Sequence, residues 1–261
     1  MNTSTLTERQ RHEIAIYDQR STRILGEATP ESLLQGDGIP FPNREHVDFL
    51  SDALSRIQPL KGKRLLECGC GPGHLSVYLA KQGAQVTAID VSPGNIALCQ
   101  ARASANNVAV DYRAIPIESL DFPDAIFDVI LGNQVFHHLE REVAAANLRR
   151  MLKPGGVAVL CEPVLMVKWV RRIRTTRPVL RLLPLHRDTP DERPLTEADL
   201  AVLRRHFQIV HYTPFQLLVR AHQWVPMSDG LFQQLLRIDR TLLDHVPGAG
   251  RWARWAVIEL R

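Results

Sequence analysis

Apolar residues follow two rhythms along this chain. From residue 63 onward, short apolar runs alternate with longer stretches in which apolar positions return every three or four residues, so strands and helices should succeed one another. Runs at 64–67, 85–89, 109–113, 128–131, 157–161 and 256–260 read as strands, and another starts at Gln208. Helical patterns lie between them. One covers 75–82 and is halted at Gly83; the next opens on Ser92 as N-cap with Pro93 in the first position; a third runs to Leu152. Thr196 to Asp199 forms a T-x-x-D box opening a helix that ends near His206, and a last helix over 231–246 is stopped by Pro247 and Gly248. Such alternation predicts an α/β fold with a doubly wound, mostly parallel sheet between two helical layers.

Two segments stand outside the alternation. Helical patterns over 7–21 and 43–57 flank a loop rich in Gly and Pro at 36–42. The other segment, 163–195, is an insert that the alternating core does not need. At about 100° per residue Met166, Trp169, Val170 and Ile173 share one face of it, with Lys168, Arg171 and Arg172 opposite; Arg174, Arg177 and Arg181 extend the charge. A single domain is expected over 1–261, divided into a helical cover (1–59), a ligand-binding core (60–162), an amphipathic lid (163–195) and the remainder of the core (196–261).

Composition narrows the classes modestly. With 45% hydrophobic and 23% charged residues in 261, the chain can bury a full core. A net charge of +4 and a pI near 9.0 permit an anionic substrate, a membrane surface or RNA without requiring one. Of the four cysteines, Cys68 and Cys70 are one residue apart in a turn while Cys99 and Cys161 stand alone, which is neither a disulfide framework nor a metal-ligand spacing. Reduced thiols and a cytoplasmic location are expected; the polar N-terminus shows no secretory pattern.

The chemistry gathers at R-L-L-E-C-G-C-G-P-G-H-L, residues 64–75. Two apolar residues lead to Glu67, and Gly69, Gly71 and Gly73 follow before a helical pattern begins: a buried strand, a tight turn and a helix. Glycine is needed where backbone turns sharply or lies against a ligand. A dinucleotide fingerprint, G-x-G-x-x-G, would need its third glycine at His74; it comes one residue early, and Pro72 removes an amide that a pyrophosphate would use. Strand two ends at Asp90, whose carboxylate can accept hydrogen bonds from a sugar diol.

The pattern E-x-G-x-G-x-G resembles motif I of the class I, Rossmann-like, S-adenosylmethionine-dependent methyltransferases, within the methyltransferase-11 and ubiquinone-biosynthesis-like group. F-P-D-A-I-F-D-V-I at 122–130, V-F-H-H-L at 135–139 and L-K-P-G-G at 152–156 continue the likeness, which spans about the central hundred residues. The resemblance implies a seven-stranded sheet with strand seven antiparallel beside strand six. It also implies S-adenosyl-L-methionine as cofactor and S-adenosyl-L-homocysteine as product. Glu67 would then help hold the methionine ammonium, with Gly69, Gly71 and Gly73 under the sugar and amino-acid part, and Asp90 with Val91 at the ribose. The adenine-binding Asp of the family is replaced by Pro116, so the backbone of Ile117, with Glu118, is expected to hold the base. Asn95 stands where a larger apolar residue usually packs on adenine, Asn133 should border the cofactor, and Tyr17 either faces it or packs in the core.

His137 and His138 are the catalytic candidates, because a histidine's near-neutral pKa suits proton removal from a phenol, enol or amine. The competing role for the pair is a structural cap or pocket wall. Three acceptor classes follow: a small molecule of a biosynthetic pathway, methylated on oxygen, nitrogen or carbon; a quinone or lipid precursor, with 165–177 making peripheral membrane contact; and RNA. Nucleic acid is not expected as a partner, since no aromatic base-stacking set accompanies the charge. A cofactor-binding module without activity is the alternative from another class.

Overall fold

The computed structural model describes residues 6–40, 44–167 and 193–261. Seven strands make one sheet in the order β3-β2-β1-β4-β5-β7-β6. They are β1 (Arg64–Cys68), β2 (Gln85–Asp90), β3 (Asp111–Ala114), β4 (Phe127–Asn133), β5 (Leu152–Pro163), β6 (Val210–Phe215) and β7 (Trp255–Leu260). The first five pair in parallel, and β7 runs antiparallel between β5 and β6. The expected doubly wound seven-stranded sheet is therefore present, with its antiparallel strand where the resemblance put it.

Strand alternation divides the core into two layers, because successive side chains point to opposite faces. Leu65, Val129, Leu131 and Val159 pack on one face against α3 (Val47–Arg56), α4 (His74–Lys81) and α5 (Pro93–Ala105). Leu66, Ile130, Ala158 and Leu160 meet α6 (Arg141–Met151) and α7 (Glu197–His206) on the other. A further helix, α8 (Asp229–His245), lies between β6 and β7 in the chain, and its buried Asp239 accepts from the amides of Leu217, Leu218 and Val219. Predicted caps form as expected: Ser92 accepts from Asn95 N at 2.9 Å, and Thr196 and Asp199 make a reciprocal capping box.

The N-terminal reading needs amendment. The first helix, α1 (Glu8–Glu27), continues six residues beyond the predicted end, since Gly26 does not halt it before Ala28 and Pro30; Thr7 and Gln10 close its first turn as a capping box. Pro30–Leu33 forms one more turn, α2. The helix predicted from 43 begins as a 3₁₀ turn, Arg44–His46. The residues of α1 join neither apolar layer; those it buries are Gln10, Glu13 and Ser21, all polar. Strand β5 likewise starts at Leu152 rather than after the L-K-P-G-G turn, with a register irregularity between Phe127 and Val129 on its partner. Most of the amphipathic segment predicted at 165–177 lies outside the described residues; Met166 packs against the core. Among the described residues no helix is long and apolar enough to cross a membrane.

Candidate active site

The carboxyl ends of β1, β2 and β4 converge on the glycine turn, where open parallel sheets place their ligands. Gly69, Gly71 and Gly73 all have positive φ, of 70°, 49° and 80°. Their surroundings separate their duties. A Cβ on Gly69 would lie 2.6 Å from Val135 Cγ2, and one on Gly73 would lie 2.7 Å from Cys99 Sγ. Both therefore permit close packing. A Cβ on Gly71 would meet nothing within 4 Å, so this is the residue whose backbone is open to a ligand.

Acidic groups surround that opening. Asp90, 8% exposed, receives Ser92 N at 2.9 Å and Asn95 Nδ2 at 3.1 Å on Oδ1, and Gly71 N at 2.9 Å on Oδ2. A carboxylate oxygen offers two lone pairs, so Oδ1 is filled and Oδ2 keeps one. Burial pushes the Asp90 pKa up, opposed by those same hydrogen bonds. Glu67, at the end of β1, is buried and accepts from Ser76 Oγ; burial raises its pKa to about 8, with Asp90 adding to the effect. Val91 is half-buried in the bend that follows Asp90. At the end of β4 the Asn133 Oδ1 is buried and makes no hydrogen bond among the described residues.

The helix α1 lies across these strand ends. Gln10, Glu13, Tyr17 and Ser21 recur at three- and four-residue spacing, hence on one face. Gln10 Nε2 donates to Glu118 Oε2 at 3.2 Å and Arg9 Nη2 pairs with Glu118 Oε1 at 2.5 Å. Glu13 Oε1 lies 3.4 Å from His138 Nδ1. Asp18 Oδ1 accepts from Ser92 Oγ at 2.5 Å and Gly94 N at 2.8 Å, and Ser21 Oγ donates to Asn95 Oδ1. Asn95, expected only as a poor substitute for an apolar residue, thus links α1 to the Asp90 carboxylate. Ile117 opens a 3₁₀ turn, Ile117–Ser119, and its carbonyl accepts from Asn147 Nδ2 at 3.0 Å. The Glu118 carboxylate, expected near the base, accepts from Arg9, Gln10 and the Glu140 amide, tying α1 to α6.

A second buried group adjoins the turn. Glu162, on β5 and fully buried, accepts from the amides of Val135, Phe136 and His137 at 3.1, 2.8 and 3.2 Å. It also meets His137 Nδ1 at 2.7 Å. The ring of His138 packs on that of His137 with centroids 4.1 Å apart. His137 is 2% exposed, whereas His138 is half-buried. Sequence reasoning brought the two histidines to this place but missed Glu162. A carboxylate at the end of a parallel strand was the available signal. It also missed Glu13, Asp18 and Ser21, polar residues of a helix whose covered face no apolar spacing marks.

A cavity of about 840 Å³, lined by Arg64, Gln85, Asp111 and Tyr112, opens at the opposite, amino ends of the strands. Ligands of this sheet type bind at the carboxyl ends, so the polar crevice under α1 is the better candidate.

The donor and acceptor inventory suits S-adenosylmethionine. An ammonium, a sulfonium and a sugar diol need acceptors and negative charge, and Glu67, Asp90 and the unpaired Asn133 Oδ1 supply them around the one open glycine.

Comparison with known proteins agrees. A family profile described as a methyltransferase domain matches residues 66–160. A ubiquinone biosynthesis O-methyltransferase of Rhizobium leguminosarum bv. trifolii is 34% identical over 158 residues, 57% of this chain and 63% of that protein. One from Rhizobium rhizogenes is 33% identical over 185 residues, 66% of this chain and 73% of its own. The match to the first of these relatives spans less than two thirds of its length. Among solved structures, the [4+2]-cyclase SpnF superposes with a TM-score of 0.62 at 20% identity, covering 98% of this chain and 96% of that one. The geranyl diphosphate C-methyltransferase of Streptomyces coelicolor, solved with S-adenosyl-L-homocysteine, gives 0.58 at 13% identity and covers 97% of each chain. Those two likenesses concern the fold. On the family match and the curated relatives, this chain belongs to the class I S-adenosylmethionine-dependent methyltransferases.

Proposed function

We propose that this methyltransferase methylates an oxygen of a small phenolic or enolic acceptor held beside His137 and His138. The observation that carries the reading is the buried pair of Glu162 and His137, which fixes a double histidine next to the glycine turn through Val135. A phenol needs a proton acceptor, an aligned approach and a dry pocket; the histidines stand at the strand ends where those needs meet. The Rhizobium relatives are named for O-methylation in ubiquinone biosynthesis, which favours a quinone precursor within this class.

Bound S-adenosylmethionine supplies an electrophilic sulfonium methyl group and leaves as S-adenosyl-L-homocysteine. Glu67 and Asn133 Oδ1 would hold its ammonium, and Gly71 would give its backbone approach. Asp90 Oδ2 would accept one ribose hydroxyl, Val91 would flank the sugar, and the backbone at Ile117 would meet the base. Tyr17, on the inner face of α1, would close the crevice from above. Glu118 serves to hold α1 in place. In the acceptor half, Glu162 fixes the His137 ring and His138 takes the acceptor proton.

Thermal shift followed by turnover tests this. S-adenosylmethionine should raise the melting temperature, and one member of a panel of catechols, phenols and hydroxyquinones should gain a methyl group by mass spectrometry. A dinucleotide that stabilises where S-adenosylmethionine does not, or methylation of amines alone, rejects the reading.

A further inference from the structure

On the reading of His138 as proton acceptor, we propose that Glu13 is a positioning residue supplied by α1. It fixes the tautomer of His138, so the base is complete only when that helix is docked. Glu13 is 6% exposed although α1 contributes to neither apolar layer. A buried carboxylate is costly unless paired. Its Oε1 and the Nδ1 of His138 are both buried, make no hydrogen bond among the described residues, and face each other at 3.4 Å. That separation is long for a formed bond, and such contacts commonly tighten once a ligand is bound.

No other partner competes for either atom among the described charges. Asp90, on β2, has the same sign as Glu13 and its pKa is raised in part by it. Arg9, on the same helix, is held by Glu118. Arg141, on α6, points its guanidinium at the carbonyls of His137 and Leu139 and lies 3.5 Å from Asp199. Glu162 is spent on His137 and three amides. With Nδ1–H directed at Glu13, the Nε2 lone pair of His138 is left for the acceptor. The acceptor O–H bond breaks and an Nε2–H bond forms; the ring becomes imidazolium beside the Glu13 carboxylate and gives the proton to solvent when α1 lifts.

Two readouts test this. In the full chain labelled with ¹⁵N-histidine, long-range ¹H–¹⁵N spectra should show His138, assigned by its loss in His138→Asn, as the Nδ1–H tautomer, and Glu13→Ala should remove that preference. With a catechol acceptor, Glu13→Ala should lower kcat by at least about 10-fold, short of the loss expected for the base itself. KM and the S-adenosylmethionine Kd should stay within twofold, and Glu13→Asp should recover part of the rate. Asp18→Ala loosens α1 without touching His138 and should weaken cofactor binding. A Glu13→Ala variant that merely copies that pattern, or a wild-type Nε2–H tautomer, overturns the proposal. A chain that turns over no acceptor refutes the proposed function, while the spectra still decide the role of Glu13.

Discussion

Each glycine of the turn makes a different demand, and so does each acid beside it. Gly73→Ala places a Cβ 2.7 Å from Cys99 Sγ and 3.0 Å from Cys99 Cα at φ 80°, and should cost about 2 kcal/mol or more in urea unfolding. Gly71→Ala meets no neighbour, so its stability loss should be smaller, near 1 kcal/mol. Its S-adenosylmethionine affinity should nonetheless fall at least about 10-fold, the 1.4 kcal/mol of one modest steric conflict. Equal affinity in the two variants would remove Gly71 from the ligand site. Glu67 makes a pH-dependent prediction. Burial holds its pKa at about 8, so near neutral pH it is mostly protonated; a cation placed beside it favours the ionised form. Cofactor binding at pH 7 should therefore release protons, and affinity should climb as pH rises toward 8. Calorimetry in buffers of different ionisation enthalpy measures this directly, and binding without proton release would separate Glu67 from the positive charge of the ligand.

Among the elements, α1 is held unlike the rest. The sheet helices bury Leu, Ile, Val and Phe, whereas α1 is fastened through Arg9, Gln10, Asp18 and Ser21 to polar partners on Glu118, Ser92, Gly94 and Asn95. Elements with few buried apolar contacts open at low free energy. Amide hydrogen exchange over 8–27 should be far faster than in β1 and β4, and bound cofactor should slow it. Comparable protection without ligand would show that α1 is a fixed part of the core. Asp18→Ala removes the acceptor of the Ser92 hydroxyl and the Gly94 amide at the first turn of α5. Loss of capping interactions of this kind costs about 0.5–2 kcal/mol, readable as a shift in the urea midpoint.

At the scale of the whole molecule, stability should depend on pH through groups that burial has displaced. The pKa of Glu67 rises to about 8 and that of Asp48 to about 6, while that of His74 falls to about 4. A buried acid with a raised pKa keeps its proton in the folded chain after the unfolded chain has released it, so stability declines as pH climbs between its two values. His74 acts oppositely: below its unfolded value of 6.5 the unfolded chain binds the extra proton, and stability declines as pH falls toward 4. Between about pH 4.5 and 6 the two acids outweigh His74 by one proton and stability still declines as pH rises, while from about 6 to 6.5 Glu67 and His74 offset one another. From about pH 6.5 to 8 Glu67 dominates, with a slope approaching about 1.4 kcal/mol per pH unit for one proton. Urea unfolding at pH 6.5 and 8 should show the decline, and Glu67→Gln should flatten it while weakening cofactor binding. A parallel decline in that variant would assign the effect elsewhere.

The sheet was legible from the sequence because hydrophobic periodicity and turn chemistry act over a few residues: the strands, the Ser92 and Thr196 caps, the glycine turn and Asp90 all come from local pattern. So did the family, carried by 64–75 and 122–139. What only the fold decided depends on residues far apart in the chain. Glu13 faces His138, Ser21 reaches Asn95 and Glu162 gathers the amides of 135–137 because α1 lies across the carboxyl ends of β2, β4 and β5. Polar side chains on a helix look solvated in sequence, since periodicity records which face is apolar but not which polar face is covered. Burial and pairing of those groups exist only after the sheet has assembled, and they determine which carboxylates hold charge, which hold a proton and which hold α1.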